Sequence, residues 1–179
     1  MGRKDRWRRW SINGSGRDAF LDAGDQATLF EGRERTMMHN LIRKAKKLAD
    51  KYSKDEVANL IQDDMIAYSD AYAERLMLEK FTAAVDAQKD PEVKAVLKDL
   101  RDLYAVHTLK NNAVWYLEND HLDTEATHAL KRLEHDLNAK IRPHAQTLVD
   151  GFGIPEQLLS VTPAPAAANT NRFQPTPKP

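Results

Sequence analysis

The sequence predicts an all-α fold, an antiparallel four-helix bundle, on three observations. Apolar residues recur at intervals of three, four and seven along four stretches, the spacing of one helical face. Capping patterns open several of those stretches. Only 7 glycines occur in 179 residues, few for an all-β chain. The length suffices for one domain with a real core. With 41% hydrophobic and 30% charged residues, the composition suits a bundle with solvated outer faces.

The first helix is expected from near Asp25 to about Tyr52, with Phe30, Met37, Leu41, Ala45, Leu48 and Tyr52 on one face. Ser53-Lys54-Asp55-Glu56 is a capping-box pattern, in which the serine oxygen takes the Glu56 amide while the glutamate reaches back. It starts a second helix running to about Ala87, whose stripe is Val57, Leu60, Ile61, Met65, Tyr68, Tyr72, Leu76 and Phe81. Asp90 caps a third helix and Pro91 suits its first position, where no amide bond is lost. That helix should reach Glu118 along Val93, Leu97, Leu100, Tyr104, His107, Val114 and Leu117.

Asp123 caps the fourth helix, with Glu125 in its first turn favoured by the macrodipole. Ala126, Leu130, Leu133, Leu137, Ile141, His144 and Leu148 form its stripe. Pro143 cannot donate to the Ala139 carbonyl and its ring crowds that oxygen, so a kink is expected there. Gly151 and Gly153 stop the pattern and Pro155 prevents its resumption. Helices of about 28 residues would each be about 40 Å long. Three regions follow: a basic, irregular segment over 1–20, a helical domain over 21–162, and a Pro/Ala-rich tail over 163–179 that reads as disordered.

Composition also excludes. There is no cysteine, so disulfides, thiolate metal sites and cysteine nucleophiles are out. The 27 Lys and Arg balance the 27 Asp and Glu, which argues against nucleic acid as a partner of the whole domain. No run of about 18 apolar residues exists to span a membrane. The exception to the balance is the start, where Arg3, Lys4, Arg6, Arg8 and Arg9 interleave with Trp7 and Trp10. Such a segment either touches phosphate or a membrane surface, or is a frayed terminus, or packs on the bundle through its two indoles.

Catalytic and metal motifs are thin. A di-iron bundle needs two Glu-x-x-His motifs, and the chain has one match, Glu125 to His128. His121, His128 and His135 share a face, but successive rings at heptad spacing lie about 10 Å apart, too far for one ion. His107 and His144 sit on apolar stripes and read as hydrogen-bonded structural histidines. No phosphate-cradling glycine loop stands out.

Several segments together resemble the C-terminal helical domain of acyl-CoA oxidases. The most specific is Ile141-Arg142-Pro143-His144-Ala145 followed by Leu148-Val149-Asp150-Gly151-Phe152-Gly153-Ile154-Pro155, similar to the family's closing "LRPHA…LVDAFGIP". Upstream, Trp115-Tyr116-Leu117-Glu118 resembles "WFLE", and Ala73 through Phe81, with Glu74, Arg75 and Glu79, resembles "VERVVLEAF". Leu29 through Glu34 is like "LFRYRE". The likeness spans roughly residues 25–162. The family often carries an acid where Asn112 stands, so a role resting on that charge does not transfer. Residues 1–20 match nothing in the family.

The resemblance implies an FAD-dependent oxidoreductase of fatty-acid β-oxidation. Such an enzyme converts acyl-CoA to trans-2-enoyl-CoA and makes hydrogen peroxide. Its flavin site and glutamate base belong to domains that precede this region, so no catalytic residue carries over and this chain is expected to bind no cofactor alone. The implied partners are flavin-containing oxidase domains or a subunit bearing them, with a homodimer and with acyl-CoA only in the complete enzyme. Because the chain ends Pro-Lys-Pro and not Ser-Lys-Leu, the sequence favours a cytoplasmic, bacterial origin. The alternative to an oxidase component is a non-enzymatic, self-associating helical interaction module.

Overall fold

The structure, a computed structural model, describes residues 19–154. The expectations placed on residues 1–18, on Pro155 and on the Pro/Ala-rich tail lie outside that range. Among the described residues all regular structure is helical, as the sequence predicts. The chain divides into two compact units, one ending at Pro143 and one beginning at His144.

In the first unit, α1 spans Ala23–Ala49, α2 Lys54–Leu60, α3 Gln62–Ala87, α4 Pro91–Asn111, α5 Ala113–Glu118 and α6 Thr124–Ile141. Three expected caps form. Ser53 and Glu56 close a reciprocal capping box, Asp90 accepts from the amides of Glu92 and Val93, and Asp123 accepts from Ala126. The α1 helix starts earlier than expected because Asp22 accepts from the amides of Gly24 and Asp25.

Two expected long helices are each broken once. The second breaks at Ile61 and the third at Asn112, where both residues leave the helical basin (φ −106°, ψ 5° and φ −98°, ψ 14°). Each break rotates the face that follows. This is why Val114, at 68% exposure, and Leu117 point to solvent although they continue the stripe on a straight helix.

The helices pair in chain order, α1 along α3, α3 along α4 and α4 along α6. Ion pairs fix α1 against α3 and α4 against α6 as antiparallel. Arg33 meets Glu74 while Lys44 meets Asp64, and Lys110 meets Glu134 while Lys140 meets Asp99. The α4–α6 seam holds most of the core: Ala105, Val106 and Leu109 face Ala126, Leu130, Leu133 and Leu137. Small residues on both sides let the backbones approach closely. Phe20, Phe30, Leu78, Tyr116 and Leu122 complete the cluster. Each fully buried leucine contributes about 1.5–3 kcal/mol.

The stripe of α6 is the one the sequence predicts, from Ala126 to Ile141. The stripes of α3 and α4 are rotated. The buried line of α3 is Ala71, Leu78 and Val85, and Met65 and Tyr72 are exposed. On α4 the buried line includes Arg101, Asp102, Ala105 and Thr108, while Val93 is exposed and Tyr104 half-buried. Weighing only large apolar side chains picked the neighbouring face, because alanine and paired polar residues occupy the true one.

Burial on α1 ends at Arg33. The remaining 16 residues, about 24 Å of helix, pair with the first half of α3 as a two-helix limb. That limb exposes Met38, Ile42, Met65 and Ile66.

At the end of α6 the α-helix stops at Ile141, and Arg142–His144 form a 3-10 turn around Pro143, as the missing donor requires. In the second unit, α7 spans Ala145–Asp150. Gly151 stays right-handed, and the turn's left-handed position is Gly153 (φ 60°). The core assignment predicts that Leu130→Ala lowers stability by about 2–5 kcal/mol in urea unfolding. Val114→Ala should stay within about 0.5 kcal/mol of the parent.

Candidate functional site

The residues that resemble the family signature fall into three places. The first is a polar seam where α1, α3 and the α4–α5 break meet. Gln26, Phe30, Arg33 and Met37 are in phase on α1, so the polar residues of that face point where its apolar ones do. Arg33 is buried and pairs with the half-buried Glu74 of α3. Both oxygens of Glu74 also sit 3.4 Å from the Asn112 amide nitrogen, which itself donates to the Thr108 carbonyl at 2.9 Å. Tyr104 donates to the Glu74 carbonyl at 3.0 Å, and Tyr116 donates to the Leu29 carbonyl at 3.3 Å. Burial pushes the Tyr116 phenol far up, so it stays a neutral donor.

The departure at Asn112 therefore has a local reading. Here the position presents an amide to the Glu74 carboxylate, where an acid would set two carboxylates against each other.

On the outer side of α3, Arg75 pairs with Glu34 and with Glu79 at 2.9 Å, and its guanidinium lies 5.3 Å from the centre of the Tyr72 ring. Glu79 also meets Lys80 at 3.1 Å, and Lys80 and Arg75 hold its carboxyl below the usual range. A groove of about 280 Å³ runs between α1 and α3 beside these charges.

The second place is α5. Trp115 stacks on His121 with ring centres 5.4 Å apart and meets Tyr116 edge to face at 5.2 Å. Burial lowers His121, the first histidine of the heptad row, from its ordinary value. Glu118 is exposed at the end of α5. The third place is the turn and α7. Arg142, Pro143 and His144 are exposed, Asp150 accepts from Gln146 at 2.8 Å, and Phe152 is 77% exposed. The apolar-stripe expectation for His144 is thus not met.

Two further networks escaped the sequence reading. Asp102, 1% exposed, accepts from Arg101 at 2.6 Å, from Lys98 at 2.9 Å and from Gln26 at 3.0 Å. Gln26 also donates to the Phe20 carbonyl, which ties the entry of the chain to α4. The signal for Gln26 was available, in phase with Phe30 and Arg33, whereas Asp102 lies on a face of α4 that the apolar stripe does not mark. The other network joins α4 to α6, where Glu134 takes Lys110 and His107, each at 2.7 Å. His107 is therefore exposed and paired, on the rim of a groove of about 610 Å³ lined by Phe81, Leu100, Leu103 and Tyr104.

Among the described residues no group of three or more His, Asp and Glu could hold a metal ion, and no helix is long and apolar enough to cross a membrane.

Two outcomes check these networks. Glu74→Ala leaves Arg33 buried without its partner and should cost about 2–4 kcal/mol. Adding Arg33→Met should recover part of that loss in a double-mutant cycle. Burial raises the Glu134 carboxyl, but Lys110 and His107 outweigh it and the net direction is down. A lowered carboxyl contributes stability above its unfolded value and loses it as pH falls through the folded one. The contribution should thus persist to about pH 4.5 and vanish below. Acid titration of stability should show a smaller decline in Glu134→Gln than in the parent.

The Acyl-CoA oxidase family profile matches residues 24–162. Acyl-coenzyme A oxidase 2, peroxisomal, of Arabidopsis thaliana is 27% identical over 88% of this chain and 22% of its own length. Peroxisomal acyl-coenzyme A oxidase 1 of Bos taurus is 31% identical over 56% of this chain and 15% of its own. Among solved structures, acyl-CoA oxidase1 from Yarrowia lipolytica superposes with a TM-score of 0.74 at 16% identity, over 96% of this chain and 30% of that one. The Caenorhabditis elegans acyl-CoA oxidase-1, complexed with FAD and ATP, gives 0.72 at 18% identity, over 75% and 21%. The match thus spans 22% and 15% of the length of these two curated relatives. These relatives are plant and animal proteins named as peroxisomal, which overturns the expectation of a cytoplasmic, bacterial protein drawn from the last three residues. With a family profile covering most of its length and the closing signature in place, this chain belongs to the acyl-CoA oxidase family.

Proposed function

We propose that this chain is the C-terminal helical part of an FAD-dependent acyl-CoA oxidase, a buttress that braces flavin-carrying domains on other polypeptide and is not catalytic alone. One observation carries the reading. The family match fills nearly the whole helical region yet corresponds to only 22% of a full-length relative. A further Arabidopsis thaliana relative, named as an acyl-coenzyme A oxidase, is matched over 72% of its own length, so a chain of similar span has a counterpart.

The physical ground is the limb. Its Met38, Ile42, Met65 and Ile66 are each 44–54% exposed, which suits a face that meets another domain. The signature charges Glu74, Arg75 and Glu79 are all engaged in ion pairs between or along helices, the work of a scaffold.

A flavin dinucleotide does not fit the groove of about 610 Å³ beside α4. Its lining carries the Glu134 carboxylate, which would repel a pyrophosphate, and no glycine turn to bring backbone amides to one. The redox chemistry of the complete enzyme would be supplied by a flavin held on the other domains. The residues of this chain would hold the wall of that site and support the dimer.

The second reading, a self-associating module, draws on the same exposed limb. Reconstitution separates the two. Mixing the purified chain with an oxidase lacking this region should yield acyl-CoA-dependent peroxide. Peroxide from the chain alone would refute its incompleteness. A stable homo-oligomer by light scattering, with no effect on the truncated oxidase, would establish the second reading instead.

A further inference from the structure

We propose that the seam between α1 and α3 is the seat of one amphipathic helix of the flavin-bearing polypeptide, with acidic residues at the end that lies over Lys46. This rests on the reading of the chain as the C-terminal part of an oxidase. Ala23, Ala27, Glu31, Met38, Ile42 and Lys46 recur at four and seven along α1 and so share one side of it. Met65, Tyr68, Tyr72, Glu79 and Ala83 share one side of α3 in the same way. A cavity of about 280 Å³ is lined from both rows, by Ala23 and Ala27 on one helix and by Glu79 and Ala83 on the other. A second, of about 420 Å³, reaches Met38. The two share Glu31 and Arg75 and so run into one trough. The Arg75 guanidinium, 5.3 Å from the centre of the Tyr72 ring, carries the same side on into the limb.

The shape calls for a helix. From Ala23 to Ile42 the side of α1 measures about 28 Å. Alanines and Leu78 floor the inner end, where a backbone can approach closely. At the outer end Met38, Ile42, Met65 and Tyr72 are each 43–48% exposed, large side chains able to interdigitate with a ridge laid between them. A long apolar furrow between two antiparallel helices is the surface on which a third helix lays its apolar face. A compact small molecule would fill one cavity and leave the rest of the furrow bare.

Charge sets the chemistry of each end. Glu31 is paired with Arg35, Glu34 with Arg75, and Glu79 with Arg75 and Lys80. Apart from Asp86, the inner stretch therefore asks for no counter-charge. The outer end differs. Arg43 and Lys46 are exposed and pair with no carboxylate among the described residues, and Asp50 is the one acid beside them on α1. On α3, Asp64 and Glu74 are taken by Lys44 and Arg33. Asp63 and Asp70 stand two residues before Met65 and Tyr72, about 200° around the helix, and so face away from the seam. Acids flanking the occupant's ridge at this end gain partners there. Lipid headgroups would meet the same two cations, but a flat surface gains nothing from the furrow.

The sequence has no cysteine, so an added thiol is the sole one in the chain. Ala83→Cys and Met38→Cys mark the two ends of the furrow, and Lys131→Cys on the exposed side of α6 is the reference. Maleimide labelling of the full chain is read by its intact mass. Adding an oxidase that lacks this region should slow labelling several-fold at both furrow positions and leave Lys131→Cys unchanged. Arg43→Glu/Lys46→Glu should weaken the affinity behind that protection by about tenfold, and by less at high salt. Peroxide formation with undiminished labelling in the furrow would overturn the proposal and leave the oxidase reading standing. Loss of peroxide and protection together would remove both. Protection that ignores Arg43→Glu/Lys46→Glu would overturn the acidic end. Protection that needs no oxidase and grows with chain concentration would give the furrow to a second copy. Protection by phosphatidylserine vesicles and not by the oxidase would give it to a membrane, and either result overturns the proposal.

Discussion

The junction of Arg33, Glu74 and Asn112 sets the layout of the first unit. It joins α1 to α3 and both to the point where α4 breaks into α5. A buried guanidinium is costly unless paired, and here the carboxylate and the amide share one small space. The core cluster lies mostly on the α4 side of that junction. Everything beyond it on α1 and α3 is a two-helix limb held by its own mutual contacts and by the Lys44–Asp64 pair. The pairing thus marks a boundary between a part that is self-sufficient and a part that presents apolar surface outward.

That division suits a piece of a larger enzyme better than a free-standing domain. A self-contained bundle would cover Met38, Ile42, Met65 and Ile66 with a neighbouring helix. In this chain the α4–α6 seam already satisfies the core, so the limb is left available. The Arabidopsis thaliana acyl-coenzyme A oxidase 2 and the Yarrowia lipolytica acyl-CoA oxidase1 are several times longer than the matched region.

How much the sequence reveals differs by element. The stripe of α6 was legible because large aliphatic residues keep one phase from Ala126 to Ile141 without interruption. The caps were legible because Ser53, Asp90 and Asp123 have side chains that satisfy amides within three residues, a local matter. The faces of α3 and α4 were not. Ala71, Ala105 and Asp102 owe their burial to partners on other helices, and single residues, Ile61 and Asn112, shift the phase midway. The signature residues were legible as a likeness. That Glu74 answers to Arg33, 41 positions earlier, is a tertiary fact with no local trace.

The far end of the limb is where an outstretched pair of helices would be expected to fray. There the Ser53–Glu56 box ties the start of α2 to itself, and the serine's two bonds hold the Glu56 carboxyl below its ordinary value. The arm is therefore fastened at its tip by a latch that needs a negative charge. Strong acid slackens that latch locally, at a site remote from the core.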